Sequence, residues 1–141
     1  MSNDSFVRME FDDCESELVP EGEYALRIVK FKDTRSKKGN PMTIVLIRVE
    51  DGSIENPELI RHYLTYPDNT IPAEQQRLRR TDIKRFLVCF GVPHDDAGES
   101  AGFDKQDLIG ATRRCMVIQE NGDDGNIYNR LKLPPLKRKG T

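Results

Sequence analysis

The 141-residue sequence contains no tryptophan, only three cysteines and only two histidines. Four tyrosines and six phenylalanines make up a modest aromatic supply. The cysteines (Cys14, Cys89 and Cys115) are odd in number and widely spaced, which argues against a disulfide framework and fits a reducing compartment. The histidines (His62 and His94) lie in no metal-ligand spacing with the cysteines. The sequence therefore predicts neither a disulfide scaffold nor a zinc site.

Long hydrophobic runs and catalytic motifs are also missing. No stretch approaches the ~20 apolar residues of a membrane span, and the acidic, polar N-terminus is unlike a signal peptide. No phosphate-binding loop occurs, and no serine or cysteine has the neighbours of a nucleophile. We therefore expect a cytoplasmic protein without membrane contact, cofactor, metal or enzymatic activity. A metal-dependent nuclease using Asp95-Asp96 or Asp123-Asp124 is a remote alternative, because paired acids in loops are usually only loops.

The net charge of −2 conceals a strong asymmetry. Residues 1–23 hold eight acids and one base, a net charge of −7, which leaves 16 acids and 21 bases, a net charge of +5, for residues 24–141. A basic body with an acidic arm is a recurrent arrangement in nucleic-acid binders. We divide the chain into an acidic arm (1–19), one folded domain (20–133) and a basic tail (134–141).

The hydrophobic pattern predicts five strands and one helix. The first strand alternates through Tyr24, Leu26 and Ile28, and its phase slips at Val29 and resumes at Phe31, which indicates a β-bulge. The other predicted strands are 43–50 (with Val45, Ile47 and Val49 facing the core), 59–66, 111–119 and 127–133. Helical spacing relates Leu78, Ile83, Phe86, Leu87 and Phe90, and Gly91 ends the helix.

Three strands, one helix and two strands is the element order of an OB-fold, whose helix lies between strands three and four. We therefore predict a mainly β protein with a five-stranded OB-fold barrel. A small β-sandwich and an SH3-like barrel with an inserted helix are the alternatives.

Two groups of residues are typical of nucleic-acid binding. The basic loop between the first two strands carries Lys30, Lys32, Arg35, Lys37 and Lys38, cations suited to contact phosphates. On the fifth strand Tyr128, Arg130 and Lys132 face outward, opposite Ile127, Leu131 and Leu133. On the third, Arg61 and Tyr63 face outward, opposite Ile60, His62 and Leu64. Base–aromatic stacking contributes roughly 1–3 kcal/mol per base. The alternatives are a solvated hairpin tip and tyrosines packed in a half-buried sheet.

The run LVPEGEYALRIVKFKDTRSKKGNPMTIVLIRVEDG resembles the first half of a family of small phage proteins, long labelled only as a domain of unknown function and encoded among phage recombination and replication genes. The matching elements are Met9–Asp13, Leu18–Tyr24, Thr34–Gly39, Thr43–Val49, Phe86–Val92 and Leu108–Gly110. The resemblance implies an OB-fold protein that binds single-stranded DNA. The chain departs from cellular single-strand binders in having Lys137-Arg138-Lys139 near its end instead of an acidic tail, and in lacking tryptophan.

These observations lead to one expectation and one alternative. We expect a sequence-independent single-stranded-DNA-binding protein of phage replication and recombination, located in the bacterial host cytoplasm. A phage recombinase or annealing protein is the expected protein partner, and a homodimer is the expected assembly because avidity adds affinity without new contacts. The alternative is an OB-fold adaptor or inhibitor that acts on a recombination or replication protein, since fold alone does not decide function.

Overall fold

A computed structural model describes residues 5–9, 17–52 and 54–136. In these ranges the chain forms five strands, one α-helix and one short 3-10 helix. Their bounds are β1 (Gly22–Arg35), β2 (Pro41–Val49), β3 (Ile60–Thr65), α1 (Ala73–Phe90), the 3-10 helix (Lys105–Leu108), β4 (Thr112–Asn121) and β5 (Ile127–Lys132). The predicted element order is confirmed, and the 3-10 helix between α1 and β4 is an addition.

All five strands belong to one antiparallel sheet in the order β3-β2-β1-β4-β5. Among the described residues no hydrogen-bonded ladder joins β3 to β5, so the sheet is not closed into a barrel. The two end strands nevertheless contact each other. The long strand β1 makes this possible because it pairs with β4 through its first half and with β2 over most of its length.

The predicted bulge in β1 is confirmed. Ile28 pairs with Ile47 of β2 and Lys30 pairs with Leu46, so Val29 is one residue too many in the ladder. Before the bulge Leu26 and Ile28 are buried, and after it the partly buried Phe31 packs against the same core. The extra residue therefore keeps apolar side chains on the inner face of a strand whose alternation changes phase.

Helix α1 covers the inner face of the sheet. Ile83, Phe86, Leu87 and Phe90 are buried, and the ring of Phe86 stacks on His62 of β3 at a centroid distance of 4.5 Å. The helix ends at Gly91, which adopts the left-handed conformation with a φ of 66°. In this conformation the backbone N–H groups of Gly91 and Val92 donate hydrogen bonds to carbonyls in the last turn of the helix. Leu78, predicted to face the core, is instead 51% exposed on the outer side of α1.

On β5, the most deeply buried side chain is polar. Ile127 was predicted to face the core, but it is 47% exposed at the strand's beginning, whereas Asn129 is 2% exposed. The Asn129 amide accepts a hydrogen bond from the backbone N–H of Val19 and donates one to its carbonyl, each 2.8 Å long. Together with Gln119, which also donates to the Val19 carbonyl at 3.0 Å, this side chain holds Val19 against the sheet.

The acidic arm is described only in part. The side chains of Phe6, Val7 and Met9 are exposed, and Phe11 lies outside the described residues. The charged tail residues 137–139 also lie outside them. None of the described helices has the length and apolar character that crossing a membrane requires.

Candidate nucleic-acid interface

The ladders of β1, β2 and β3 align residues into rows on the side of the sheet opposite the core. Directly paired residues of neighbouring strands point to the same face, so each row can be read from the register. We call this surface the outer face. Its rows are Arg27–Arg48, Lys30–Leu46–Arg61, Lys32–Ile44–Tyr63 and Thr34–Met42–Thr65.

The five cations predicted to share one basic loop are divided between a strand and a turn. Lys30, Lys32 and Arg35 belong to β1, which extends to residue 35, and only Lys37 and Lys38 lie in the turn before β2. Arg35 donates to the carbonyl of Gly39 at 2.8 Å and so braces this turn. The single basic loop is therefore a wrong prediction. Its first two lysines instead stand on the sheet, about two strand spacings, roughly 10 Å, from β3.

Tyr63, Arg130 and Tyr128 come together where the ends of the sheet meet. The Arg130 guanidinium of β5 lies 5.8 Å from the ring centroid of Tyr63 on β3 and 5.0 Å from that of Tyr128. A cation at this distance from an aromatic face is attracted by the ring quadrupole. Arg130 thereby links two tyrosines on different strands, and the predicted pairing of aromatic and cationic side chains becomes one cluster, the Tyr–Arg–Tyr cluster.

The ring of Tyr128 is held in place by the β4–β5 hairpin loop. Its hydroxyl donates to the Asp124 carboxylate, and this bond raises the pKa of Tyr128 above its usual value while it lowers that of Asp124. A Cβ atom on Gly122 would lie 2.6 Å from ring atom Cε2 of Tyr128. A methyl group at position 122 would therefore force the Tyr128 ring to move.

The remaining predicted cations flank the cluster. Arg61 is exposed in the row of Lys30, and Lys132 is exposed beside Met116 of β4. Among the described residues neither side chain forms a hydrogen bond or an ion pair. Both can therefore exchange water for a phosphate oxygen without first breaking a contact within the protein.

The sequence prediction missed the outward side of β2. Met42, Ile44 and Leu46 are half-buried there and form an apolar strip between the lysines of β1 and the third strand. Arg48 is exposed directly opposite Arg27, and like charges in this position disfavour the pairing. An ion pair between Arg27 and Glu50 offsets this repulsion. The sequence contained a sign of this strip, because apolar residues occupy both sets of alternating positions in β2.

Asp33 is directed away from the outer face. It accepts hydrogen bonds from Lys105 at 2.7 Å and from the buried Thr43 at 2.8 Å, which together lower the pKa of its carboxyl. The Thr43 hydroxyl lies 2.7 Å from that of Tyr66, which donates to it in turn. The one acid in the stretch from Lys30 to Lys38 is thus already neutralised by a partner on the inner side.

The paired aspartates form no recognisable metal site in the described ranges. There, no group of three or more His, Cys, Asp or Glu side chains converges as metal ligands do. Asp96 forms an ion pair with Lys84 at 3.1 Å, and the carboxylate of Asp124 accepts a hydrogen bond from the Tyr128 hydroxyl.

Cys89 and Cys115 are buried free thiols, and burial raises the pKa of Cys115 to about 12.

Comparison with known proteins adds a family. The model of the family described as "Protein of unknown function (DUF669)" matches residues 5–139, nearly the whole chain. The chain belongs to this family. In this DUF669 member the match includes all five strands, helix α1 and the whole outer face. No curated protein matches the chain.

Proposed function

We propose that the protein binds single-stranded DNA across its outer face, with bases stacked at the Tyr–Arg–Tyr cluster and phosphates held by the surrounding cations. The observation that carries this proposal is the position of Arg130 between the rings of Tyr63 and Tyr128. Sequence-tolerant binders of single strands combine aromatic platforms with a positively charged path for the backbone.

The charge of the outer face supports the same function. Its four rows contain five cations and no acid: Arg27, Lys30, Lys32, Arg48 and Arg61. The apolar strip of β2 between them offers a surface on which sugars and base edges can lie. A single strand can place its phosphates on the cations and its exposed bases on the apolar strip at the same time. The bases of a duplex are stacked on each other and cannot stack on an isolated ring of the protein.

The proposal includes an OB-type arrangement and a role in phage recombination and replication. Two observations support the OB arrangement. Helix α1 lies between β3 and β4 in the chain, and the end strands β3 and β5 contact each other although no ladder joins them. In OB-folds the binding surface lies on strands two and three, flanked by the loops that join strands one and two and strands four and five. Here the turn with Lys37 and Lys38 and the loop that holds Tyr128 occupy those places. The phage role rests on the sequence resemblance alone.

The first test is fluorescence anisotropy with labelled oligo-dT, oligo-rU and duplex DNA at low and moderate salt. We expect oligo-dT to bind more tightly than duplex, and its affinity to fall with salt by a log–log slope of about −0.7 per phosphate neutralised. The comparison with oligo-rU determines whether the 2′-hydroxyl matters. Absence of binding to all three ligands would contradict the proposal.

Two variants then locate the surface. Tyr63→Ala removes a ring and should weaken oligo-dT binding by roughly 5- to 150-fold, the equivalent of one stacked base. Arg130→Ala should weaken it as well and lower the salt slope. Arg80→Ala is the matched control, because Arg80 is an exposed cation on α1 without a partner among the described residues. If Arg130→Ala and Arg80→Ala bind equally well, the surface lies elsewhere.

A protein-interaction adaptor or inhibitor is the second candidate. The half-buried strip of Met42, Ile44 and Leu46 favours it, because apolar side chains on an outer sheet face also suit a protein partner such as a recombinase or annealing protein. A complex that is insensitive to salt and forms without DNA would support this candidate. Light scattering of the free protein would test the expected homodimer in the same preparation.

A further inference from the structure

A small cavity lies beside the Tyr–Arg–Tyr cluster, between β3 and α1. It has a volume of about 250 Å³ and is lined by Tyr63, Thr65, Arg79, Asp82 and Ile83. Pockets that enclose drug-sized ligands measure roughly 300–1,000 Å³. This cavity is therefore suited to one planar group rather than to a whole nucleotide.

The polar groups of the cavity come from α1. Arg79 donates to the Tyr66 carbonyl at 3.2 Å, which fixes its guanidinium at the wall. Asp82 is exposed and forms no hydrogen bond or ion pair with any described residue. A carboxylate only accepts hydrogen bonds, through two oxygens side by side. The cavity thus presents a free double acceptor next to the ring of Tyr63.

We propose that this cavity is a base-reading subsite that selects guanine within the single strand, with the Asp82 carboxylate accepting from its N1–H and N2–H groups. This inference rests on the proposed function, and it adds a base preference to binding that is otherwise tolerant of sequence. Single-stranded bases are commonly read by stacking on an aromatic ring and by hydrogen bonds to their Watson–Crick edge.

Only guanine matches the Asp82 acceptor pair. Its Watson–Crick edge carries two adjacent donors, whereas adenine and cytosine each place a ring-nitrogen acceptor beside their amino group. Thymine places its single N3–H between two carbonyl oxygens. In these three bases an acceptor would face one Asp82 oxygen, an unfavourable contact because neither atom brings a hydrogen.

The test compares oligo-dT with the same oligonucleotide carrying one internal guanine or one internal hypoxanthine. Hypoxanthine retains N1–H and lacks the N2 amino group. We expect the guanine oligonucleotide to bind about tenfold more tightly than oligo-dT, with hypoxanthine between them. Asp82→Asn keeps the size of the side chain but turns one acceptor into a donor, and should abolish the preference while retaining oligo-dT binding.

Asp107→Asn is the matched control, because it removes the same charge from an exposed carboxylate of the 3-10 helix. It should preserve the guanine preference. Equal binding of all three oligonucleotides by the unmodified protein would overturn the subsite and leave the proposed function standing. A preference that survives Asp82→Asn would overturn the assignment to this cavity. Failure to bind any single strand would overturn the subsite together with the function.

Discussion

The histidine on β3 makes the stability of the protein depend on pH in a calculable way. His62 faces the core and stacks on Phe86 with an interplanar angle of 14°. Burial lowers its pKa from 6.5 to about 4, and the nearby charge of Arg130 contributes to the same effect. The folded protein therefore keeps this imidazole neutral at a pH where an exposed one would be protonated.

The sign and size of the effect follow from proton linkage. Between pH 6.5 and pH 4 the unfolded chain binds a proton at His62 that the folded chain does not bind. The contribution of His62 to folding stability is therefore fully present above pH 6.5 and is lost as the pH falls towards 4. At 1.36 kcal/mol per pKa unit, the difference between the two pKa values corresponds to about 3 kcal/mol.

The measurement is urea unfolding at several pH values from 7.5 to 4 for the protein and for His62→Phe. Phenylalanine retains the ring stack and does not titrate, so the stability of the parent relative to the variant should fall by about 3 kcal/mol across this range. Carboxylates titrate in both proteins and cancel in the comparison. His94→Gln removes the other histidine and controls for the loss of a histidine as such.

A stability difference that stays constant from pH 7.5 to 4 would refute this reasoning, because it would mean that His62 is hydrated or charged in the folded state. NMR titration of the His62 ring in the unmodified protein gives the same answer without any variant. Arg130→Gln should raise the pKa of His62, since it removes the second cause of the shift.

Three further predictions concern the scaffold and the outer face. Asn129→Ala should lower the free energy of unfolding by about 1–3 kcal/mol, measured in urea, because the buried N–H of Val19 loses its partner while the Val19 carbonyl keeps its hydrogen bond from Gln119. Gly122→Ala should displace the Tyr128 ring and weaken oligo-dT binding by about fivefold in anisotropy, with little change in stability. Replacing Lys30 and Lys32 together by alanine should make the salt slope shallower by about 1.4, or 0.7 for each phosphate contact.

Each of these predictions has a contrary outcome, and the two that concern binding also have a control variant. Gly52→Ala adds a methyl group with no heavy atom within 4 Å, so an equal loss of affinity there would contradict the role given to Gly122. Replacing Arg77 and Arg80 by alanine removes the same charge from α1, and an identical change of slope would contradict the lysine contacts. For Asn129, a loss below about 1 kcal/mol would mean that water replaces the amide.

Local sequence patterns predicted the elements because each depends on a few neighbours. Alternation placed His62 on the inner face of β3, and the phase slip located the bulge at Val29. Patterns failed where an end effect or a distant partner decides burial. Ile127 fits its period but is the first residue of β5 and is exposed. Leu78 is exposed because it lies about 140° around α1 from Ile83, off the buried face of the helix. Asn129 is buried because it binds a backbone segment 110 residues away.

The candidate site depended on information that no single segment contains. Sequence predicted that Tyr63 and Tyr128 face outward, but their link through Arg130 follows from the contact between the two end strands. The rows of the outer face depend on the register between strands, which also brings Arg48 opposite Arg27. Charge density along the chain suggested a basic loop, whereas the length of β1 places Lys30 and Lys32 on the sheet.

The bulge at Val29 also determines which insertions and deletions the chain can accept. Deleting this residue would leave a regular ladder, because Lys30 would follow Ile28 directly, and Lys30, Phe31 and Lys32 would keep their present faces. A residue inserted or deleted at a regular position of β1 would instead exchange the two faces of the strand beyond it. A change in the number of residues in the turn at 36–40 would leave every row of the sheet in place. We therefore expect length variation in natural and engineered relatives to occur in that turn or as loss of the bulge residue, and the faces of Lys30, Phe31 and Lys32 to stay constant.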